Sequence, residues 1–203
     1  MNSVFSFDPI EHIYRLNGEI IPGFSEIMKA NGLVDFDDVP PALLERCRKF
    51  GANLHKAIHL YNKGTLDAEN LDFGLQPGIA AWSSFLDHTG FKPIVAWGEQ
   101  PICSEISRYG CTPDNILKKD NRYAIAEVKS SSGMRPFMKL QTAAQVKAIK
   151  DFYGVKISER FVIQISADGE VKLHEHKDRR DEAFFLSALT VYKFKKENGL
   201  WRP

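Results

Sequence analysis

Thr112-Pro113-Asp114 and Ala126-Glu127-Val128-Lys129 put two carboxylates and one ammonium group on what read as neighbouring strands, a short polar turn apart. Two carboxylates that face one another repel unless a cation neutralises them, and Mg²⁺ or Mn²⁺ takes oxygen ligands of this kind. A lysine beside such an ion can orient a water or offset charge building up on a phosphate. Residues i and i+2 of a strand share a face, so Glu127 and Lys129 point at one site. Val128 then turns into the core and leaves its backbone carbonyl available as a ligand. The chemistry these residues suggest is metal-dependent phosphodiester hydrolysis.

The Glu-x-Lys spacing is weak by itself, because Glu170-Val171-Lys172 and Glu175-His176-Lys177 repeat it. A solvated, salt-bridging strand face is the ordinary reading of such a triplet. What sets Glu127 apart is context. It ends an alternating apolar run with Tyr123 and Ile125, lies one hairpin from Asp114, and precedes the small polar stretch Ser130-Ser131-Ser132-Gly133. Pro113-Asp114 also reads simply as a turn.

Gly51-Ala52-Asn53-Leu54-His55 lies on a long helix with His59 one turn further on, and Gly51 would let another backbone or a phosphate approach closely. An isolated helix histidine is more often a partly buried or surface residue, and without an intervening Glu this pair is not the zinc motif HExxH. Glu99, in Trp97-Gly98-Glu99, reads either as part of the site or as an edge-strand charge. His174 and His176 share a strand face but have no third ligand nearby, so an exposed hairpin edge is the better reading. The aromatic residues Phe73, Trp82, Trp97 and Trp201 read as core in preference to base-stacking platforms.

These residues need elements to hold them. His12 to Leu16 and Glu19 to Ile21 flank Asn17-Gly18 as a hairpin, and Phe24 to Ala30 reads as a short helix closed by Asn31-Gly32. Pro40-Pro41 opens a helix to about Lys63, with Leu43, Leu44, Cys47, Phe50, Leu54, Ile58 and Tyr61 at helical spacing. Leu75 to His88 gives a second long helix. Ile94 to Cys103, Ser107 to Leu117 and Arg122 to Ser130 then read as three consecutive strands. Pro136 starts a helix to about Tyr153, Phe161 to Ser166 and Glu170 to His176 form a hairpin around Asp168-Gly169, and Asp181 to Glu197 closes the chain as a helix. The order predicts an α/β fold: a central mixed β-sheet flanked by helices, with an N-terminal hairpin-helix extension. A chain of 203 residues reads as one domain, 1–203, divided into the extension 1–39, a core 40–176 and a C-terminal helix 177–203.

Composition limits the partners. The formal net charge of +1 gives no global field for a polyanion, so nucleic-acid binding would rest on local patches such as Arg46, Arg48 and Lys49, or Lys147, Lys150 and Lys156. Neither a signal peptide nor a membrane-spanning apolar run is visible. Cys47, Cys103 and Cys111 are odd in number, widely spaced and without a CxxC pair, as expected of reduced thiols in a cytoplasmic protein.

Taken in order, the motifs resemble the RecB-like branch of the PD-(D/E)xK nucleases, which includes λ-exonuclease-like and CRISPR-associated exonucleases, and most of all its phage-encoded members. The family order is a GxxxH helix, an upstream Glu, a (G)xxD strand, a D/ExK strand and a QxxxY helix. Here those positions are Gly51 to His55, Glu99, Cys111-Thr112-Pro113-Asp114, Glu127-Val128-Lys129 and Gln141-Thr142-Ala143-Ala144-Gln145. Tyr14-Arg15-Leu16-Asn17-Gly18, Tyr61-Asn62-Lys63-Gly64 and Arg108-Tyr109 extend the likeness, which covers residues 12 to 153.

The resemblance implies a restriction-endonuclease-like core and a Mg²⁺- or Mn²⁺-dependent DNA nuclease, more an exonuclease than a restriction enzyme, using one or two ions. It implies Asp114, Glu127, the Val128 carbonyl and His55 as metal ligands, with Glu99 supporting the site or a second ion. Lys129 would orient the attacking water, and Gln141 would steady the site or contact a phosphate. The implied partners are DNA ends or single strands, with a homo-oligomer or a recombination or replication protein as further candidates, in the host cytoplasm if phage-encoded. Cys111 stands where the family often has Gly, and Gln145 where Tyr is usual on the helix that holds the DNA backbone. The iron–sulfur cysteines of some relatives are missing, so no cluster is expected. The alternative is a catalytically decayed nuclease fold that binds DNA or a protein partner.

Overall fold

The computed structural model describes residues 3–34, 39–130, 133–166 and 170–201. The chain begins with three short strands, β1 (Phe5–Asp8), β2 (Ile13–Leu16) and β3 (Glu19–Ile21), followed by helices α1 (Phe24–Ala30), α2 (Pro41–Asn62) and α3 (Gln76–Thr89). Next come strands β4 (Lys92–Pro93), β5 (Ile102–Ser104), β6 (Tyr109–Cys111), β7 (Asn115–Lys119) and β8 (Arg122–Lys129). Helix α4 (Phe137–Tyr153), strands β9 (Ile157–Ile165) and β10 (Val171–Glu175) and helix α5 (Arg180–Glu197) complete it.

The central sheet has the order β10-β9-β8-β7-β4. β8 pairs antiparallel with β7 and parallel with β9, so the sheet is mixed, as the sequence predicts. A parallel neighbour requires a crossover connection, and α4 supplies it between β8 and β9. Smaller sheets formed by β1-β2-β3 and by β5-β6 lie outside this one.

Strand alternation on β8 decides what each face carries. Ala124, Ala126 and Val128 pack with Leu54 and Ile58 of α2 and with Ile79 and Trp82 of α3. Ile125 packs on the other face with Ala144 of α4, Ile27 of α1 and Phe185 and Tyr192 of α5. Each fully buried aliphatic or aromatic side chain here contributes about 1.5–3 kcal/mol. Glu127 and Lys129 have the parity of Ile125, so the same alternation turns them toward α4. Gly90 and Gly154 end α3 and α4 with φ of 71° and 70°, the left-handed cap conformation that glycine adopts without steric cost. Gly110 serves a close approach instead, because a Cβ there would meet Cγ of the Tyr14 ring at 2.2 Å.

Several predicted strands differ. Residues 94–103 do not form one strand: Trp97 and Gly98 donate backbone bonds to the Ile94 carbonyl in a turn, and Trp97 stacks on Tyr153 with ring centroids 4.2 Å apart. Burying that indole beside α4 requires the turn. The predicted strand 107–117 breaks at Thr112–Asp114, so that β6 pairs with β5 and β7 with β8. β9 begins at Ile157, earlier than predicted, and β1 was not foreseen because Phe5 and Phe7 give too short an alternation. Asp168, Gly169, Ser131 and Ser132 lie outside the described residues. Among the described residues no helix is long and apolar enough to cross a membrane.

Candidate active site

Asp114 stands immediately before β7, and the Asn115–Ala126 register sets it opposite Glu127 on β8. The backbone joins the two carboxylates. The Asp114 N–H donates to Glu127 Oε1 at 3.1 Å, and the Val128 N–H donates to Asp114 Oδ2 at 2.9 Å. Lys129 Nζ donates to Glu127 Oε2 at 2.8 Å. From α4, Gln141 Nε2 donates to that same oxygen at 2.8 Å and Gln145 Nε2 to Glu127 Oε1 at 2.5 Å. The two glutamines are four residues apart, hence neighbours on one helix face.

α2 approaches from the other side of the sheet. His55 Nε2 lies 3.1 Å from the Val128 carbonyl oxygen, and His55 Nδ1 lies 3.4 Å from Asp114 Oδ1. His59, one turn on, sets Nδ1 3.9 Å from Glu99 Oε2. Glu99 is not on a strand as predicted; it takes a left-handed φ of 54°, and its N–H donates to the Pro113 carbonyl. That bond ties Glu99 to the residue before Asp114. Asn62, a further turn along α2, donates to Asn115 Oδ1 at 2.8 Å and accepts from Trp82 Nε1 at 2.7 Å. α2 is thereby pinned at His55 and Asn62 to the two strands that carry the carboxylates.

The electrostatics follow from this packing. The Asp114 carboxylate raises His55 to about 9 against the opposing effect of burial. Burial pushes Asp114 up, but His55 and Lys129 outweigh it and hold the carboxyl below its ordinary range. Glu127 is raised, first by burial and then by Asp114, despite Lys129 and Gln145. Burial disfavours the charged form of Lys129, yet Glu127 and Asp114 raise it above the ordinary lysine value. The carboxylates thus favour the charged forms of His55 and Lys129, and His55 would have to give up its proton to ligate a metal.

Some expectations need correction. The close approach that Gly51 permits is by Ser130, whose Oγ would lie 2.8 Å from a Cβ there. Gln145 is buried against Glu127, not turned outward to a DNA backbone. Its i+4 spacing from Gln141 was the sequence signal for that. Cys111 is buried in β6, and burial pushes its thiol far up. His174 and His176 are not an exposed pair: His174 Nε2 lies 2.8 Å from Gln164 Oε1, and His176 Nδ1 lies 3.2 Å from Thr142 Oγ1. Trp82 is core between the sheet and helices α2 and α3, Trp97 and Trp201 pack against the separate core on the α4 side, and Phe73 is largely exposed.

Among the described residues no group of three His, Cys, Asp or Glu side chains stands ready to hold a metal ion. The donor chemistry nevertheless fits one. Asp114 Oδ1 and the Val128 carbonyl converge on one imidazole, and Glu127 adjoins them through the backbone. A set of hard oxygens that gathers positive partners suits Mg²⁺ or Mn²⁺, with imidazole as an acceptable fourth donor for Mn²⁺.

No protein-family model matches the chain, and no curated protein does. Among solved structures, the chain is similar to an alkaline exonuclease from Laribacter hongkongensis at 12% identity, covering 85% of this chain and 87% of that one with a TM-score of 0.46. The same enzyme in complex with dAMP gives 12% identity, 88% and 89% coverage and a TM-score of 0.42. A candidate exonuclease from Eubacterium rectale gives 13% identity, 87% and 74% coverage and a TM-score of 0.47. A likeness at this level does not reach individual residues.

Proposed function

We propose that this chain is a Mg²⁺- or Mn²⁺-dependent DNA nuclease with a restriction-endonuclease-like core, acting as an exonuclease of the RecB-like, λ-exonuclease-like kind. The observation that carries the reading is the pairing of a partly buried Asp114 with a buried Glu127, joined by hydrogen bonds from the Asp114 and Val128 N–H groups, with Lys129 on the same strand end. The motif order from His55 through Glu99 and Asp114 to Gln141 supports it, and residues 1–203 would act as one domain.

Asp114, Glu127, the Val128 carbonyl and His55 would hold the ion. When bound, it supplies the charge that acidifies a water and screens the phosphate. The protein's own groups do the rest. Lys129, cationic and held by Glu127, aligns the attacking water and offsets negative charge on the phosphoryl oxygens. Gln141 and Gln145 fix the Glu127 carboxylate from α4, and Glu99 supports the Asp114 turn through the Pro113 carbonyl. The water oxygen gives up a proton to solvent and forms the new P–O bond as the bond to the departing sugar oxygen breaks, and that oxygen takes its proton from a solvent water.

A second reading, a decayed nuclease fold that binds DNA or a protein partner, is favoured by one observation. Each Glu127 oxygen already accepts two hydrogen bonds within the protein. Incubation with Mn²⁺ of end-labelled linear DNA and of closed circular DNA separates the readings. The nuclease reading expects label release from the linear form alone, stopped by EDTA. Binding of both DNAs without cleavage supports the decayed fold, and cleavage in EDTA overturns the mechanism.

A further inference from the structure

Helix α2 runs out past the core. Its buried residues, Leu54, Ala57 and Ile58, all lie in its second half, and none of residues 41–50 is buried. The exposed half leaves the sheet at the end of β8, where the Ser130 hydroxyl donates to the Cys47 carbonyl at 3.4 Å and packs against Gly51. Ser130 follows Lys129 directly, so the projecting turns of α2 stand beside the candidate active site. They carry Arg46, Arg48 and Lys49.

The helical period decides which of these faces the site. His55 and His59 lie against Asp114 and Glu99. Residues seven apart share a helix face, so Arg48 continues that stripe toward the N-terminus, with only the small, exposed Ala52 in between. Arg46, nine residues before His55, is about two and a half turns away and so projects from the opposite face. Among the described residues no carboxylate pairs with Arg48, whereas Lys49 pairs with Glu45 at 3.7 Å. The basic cluster at the other end of the molecule offers less. Lys147 pairs with Asp151 at 3.2 Å, and Lys150 and Lys156 lie in the last turn of α4 and beyond it, past the two glutamines that hold Glu127.

A guanidinium is always charged, and its fork of N–H donors matches phosphate oxygens. Arg48 is offset from His55 by about 10 Å along the helix axis, and the phosphates of a stacked strand advance by about 3.4 Å each. The phosphate that Arg48 meets is then about three nucleotides from the one at Asp114 and Glu127. We propose that the projecting half of α2 is a clamp for the backbone of the strand being cut, with Arg48 as the positioning residue that holds this phosphate. The inference rests on the nuclease reading, which supplies the strand.

Fluorescence anisotropy of a labelled single-stranded oligonucleotide, titrated in EDTA over a range of salt concentrations, tests it without cleavage. Arg48→Ala should weaken binding about fivefold at about 0.1 M salt and make the slope of log affinity against log salt shallower by about 0.7, the effect of one phosphate contact. Arg48→Lys keeps the charge and should keep the slope. Arg46→Ala removes the same charge from the opposite face and should stay near wild type in both. These positions are exposed and alanine is the best helix former, so the substitutions spare the fold. Equal losses in Arg46→Ala and Arg48→Ala, or no loss in either, overturn the inference, as does an absence of DNA binding. Release of label from linear DNA in Mn²⁺ by the wild-type protein reports the nuclease reading separately. Release without the Arg48 effect leaves that reading standing, and neither release nor binding overturns both.

Discussion

Glu127-Val128-Lys129 at the end of β8 and Glu170-Val171-Lys172 at the start of β10 are the same triplet with almost the same ion pair, 2.8 Å in one and 3.0 Å in the other. Their surroundings differ. The Glu127 side chain is 1% exposed and that of Lys129 21%, against 60% and 50% for Glu170 and Lys172. At the surface, water and salt screen such a pair to about 0–1 kcal/mol. In the interior, desolvation makes an unsatisfied carboxylate costly, so partners must be built around it. Glu127 has three such donors besides Lys129, the Asp114 N–H and two glutamines, each from a different turn or strand. β10 is an edge strand and brings no second acidic strand to Glu170. The triplet therefore has no meaning in itself; the elements that converge on it do.

The largest expected effect breaks the symmetry between the two triplets. Glu127→Gln, or Asp114→Asn beside it, should slow DNA cleavage by about 10²–10³-fold or more, as loss of a group that stabilises transition-state charge does. Glu170→Gln should leave the rate unchanged. Circular dichroism of each variant confirms that the fold is retained. Metal should discriminate next. Mn²⁺ at about one hundred times its dissociation constant should stabilise the wild-type chain by about 2.7 kcal/mol, read as a rise in Tm. Asp114→Asn should lose that rise, whereas Lys172→Ala should keep it.

Smaller still is the effect of the supporting shell. Gln145→Leu strips a donor from the buried Glu127 and should cost about 1–3 kcal/mol in urea denaturation. Truncating Lys172 should stay within the range of a surface pair, below about 1 kcal/mol. A further effect, read only against pH, lies in the third triplet, Glu175-His176-Lys177. Burial first, then Arg160, with Lys139 and His174 adding to them, lowers His176 from 6.5 to about 4, against the pull of Asp181. Between those values the unfolded chain takes up a proton that the folded chain refuses. This residue's contribution is therefore whole above pH 6.5 and is lost as pH falls toward 4. The Tm of His176→Gln should fall less steeply than that of wild type across that interval.

Much of this arrangement was legible in the sequence. The alternation Tyr123-Ile125-Glu127 set the face of β8, and the hairpin between Asp114 and Glu127 set the carboxylates opposite each other. What escaped depended on long-range packing. Residues 94–103 alternate well enough for a strand, but stacking Trp97 on Tyr153 of α4 bends them into a turn and moves Glu99 off the sheet. The hydrogen bonds from Asn62 to Asn115 and from Trp82 to Asn62 join residues far apart in the chain, with no local pattern to announce them. Gln145 is a middle case. Its spacing from Gln141 was visible, but that both amides grip one carboxylate depends on how α4 crosses β8.

The comparison between the triplets reduces to their lysines, and one time course measures it. Wild type, Lys129→Ala and Lys172→Ala are incubated side by side with end-labelled linear DNA and Mn²⁺, with and without EDTA. Wild type and Lys172→Ala should release label at rates within about twofold of each other, EDTA should stop both, and Lys129→Ala should be slower by about 100-fold or more. Release by Lys129→Ala at the wild-type rate, or release by any of the three in EDTA, would contradict the assignment of the β8 triplet as the reactive centre.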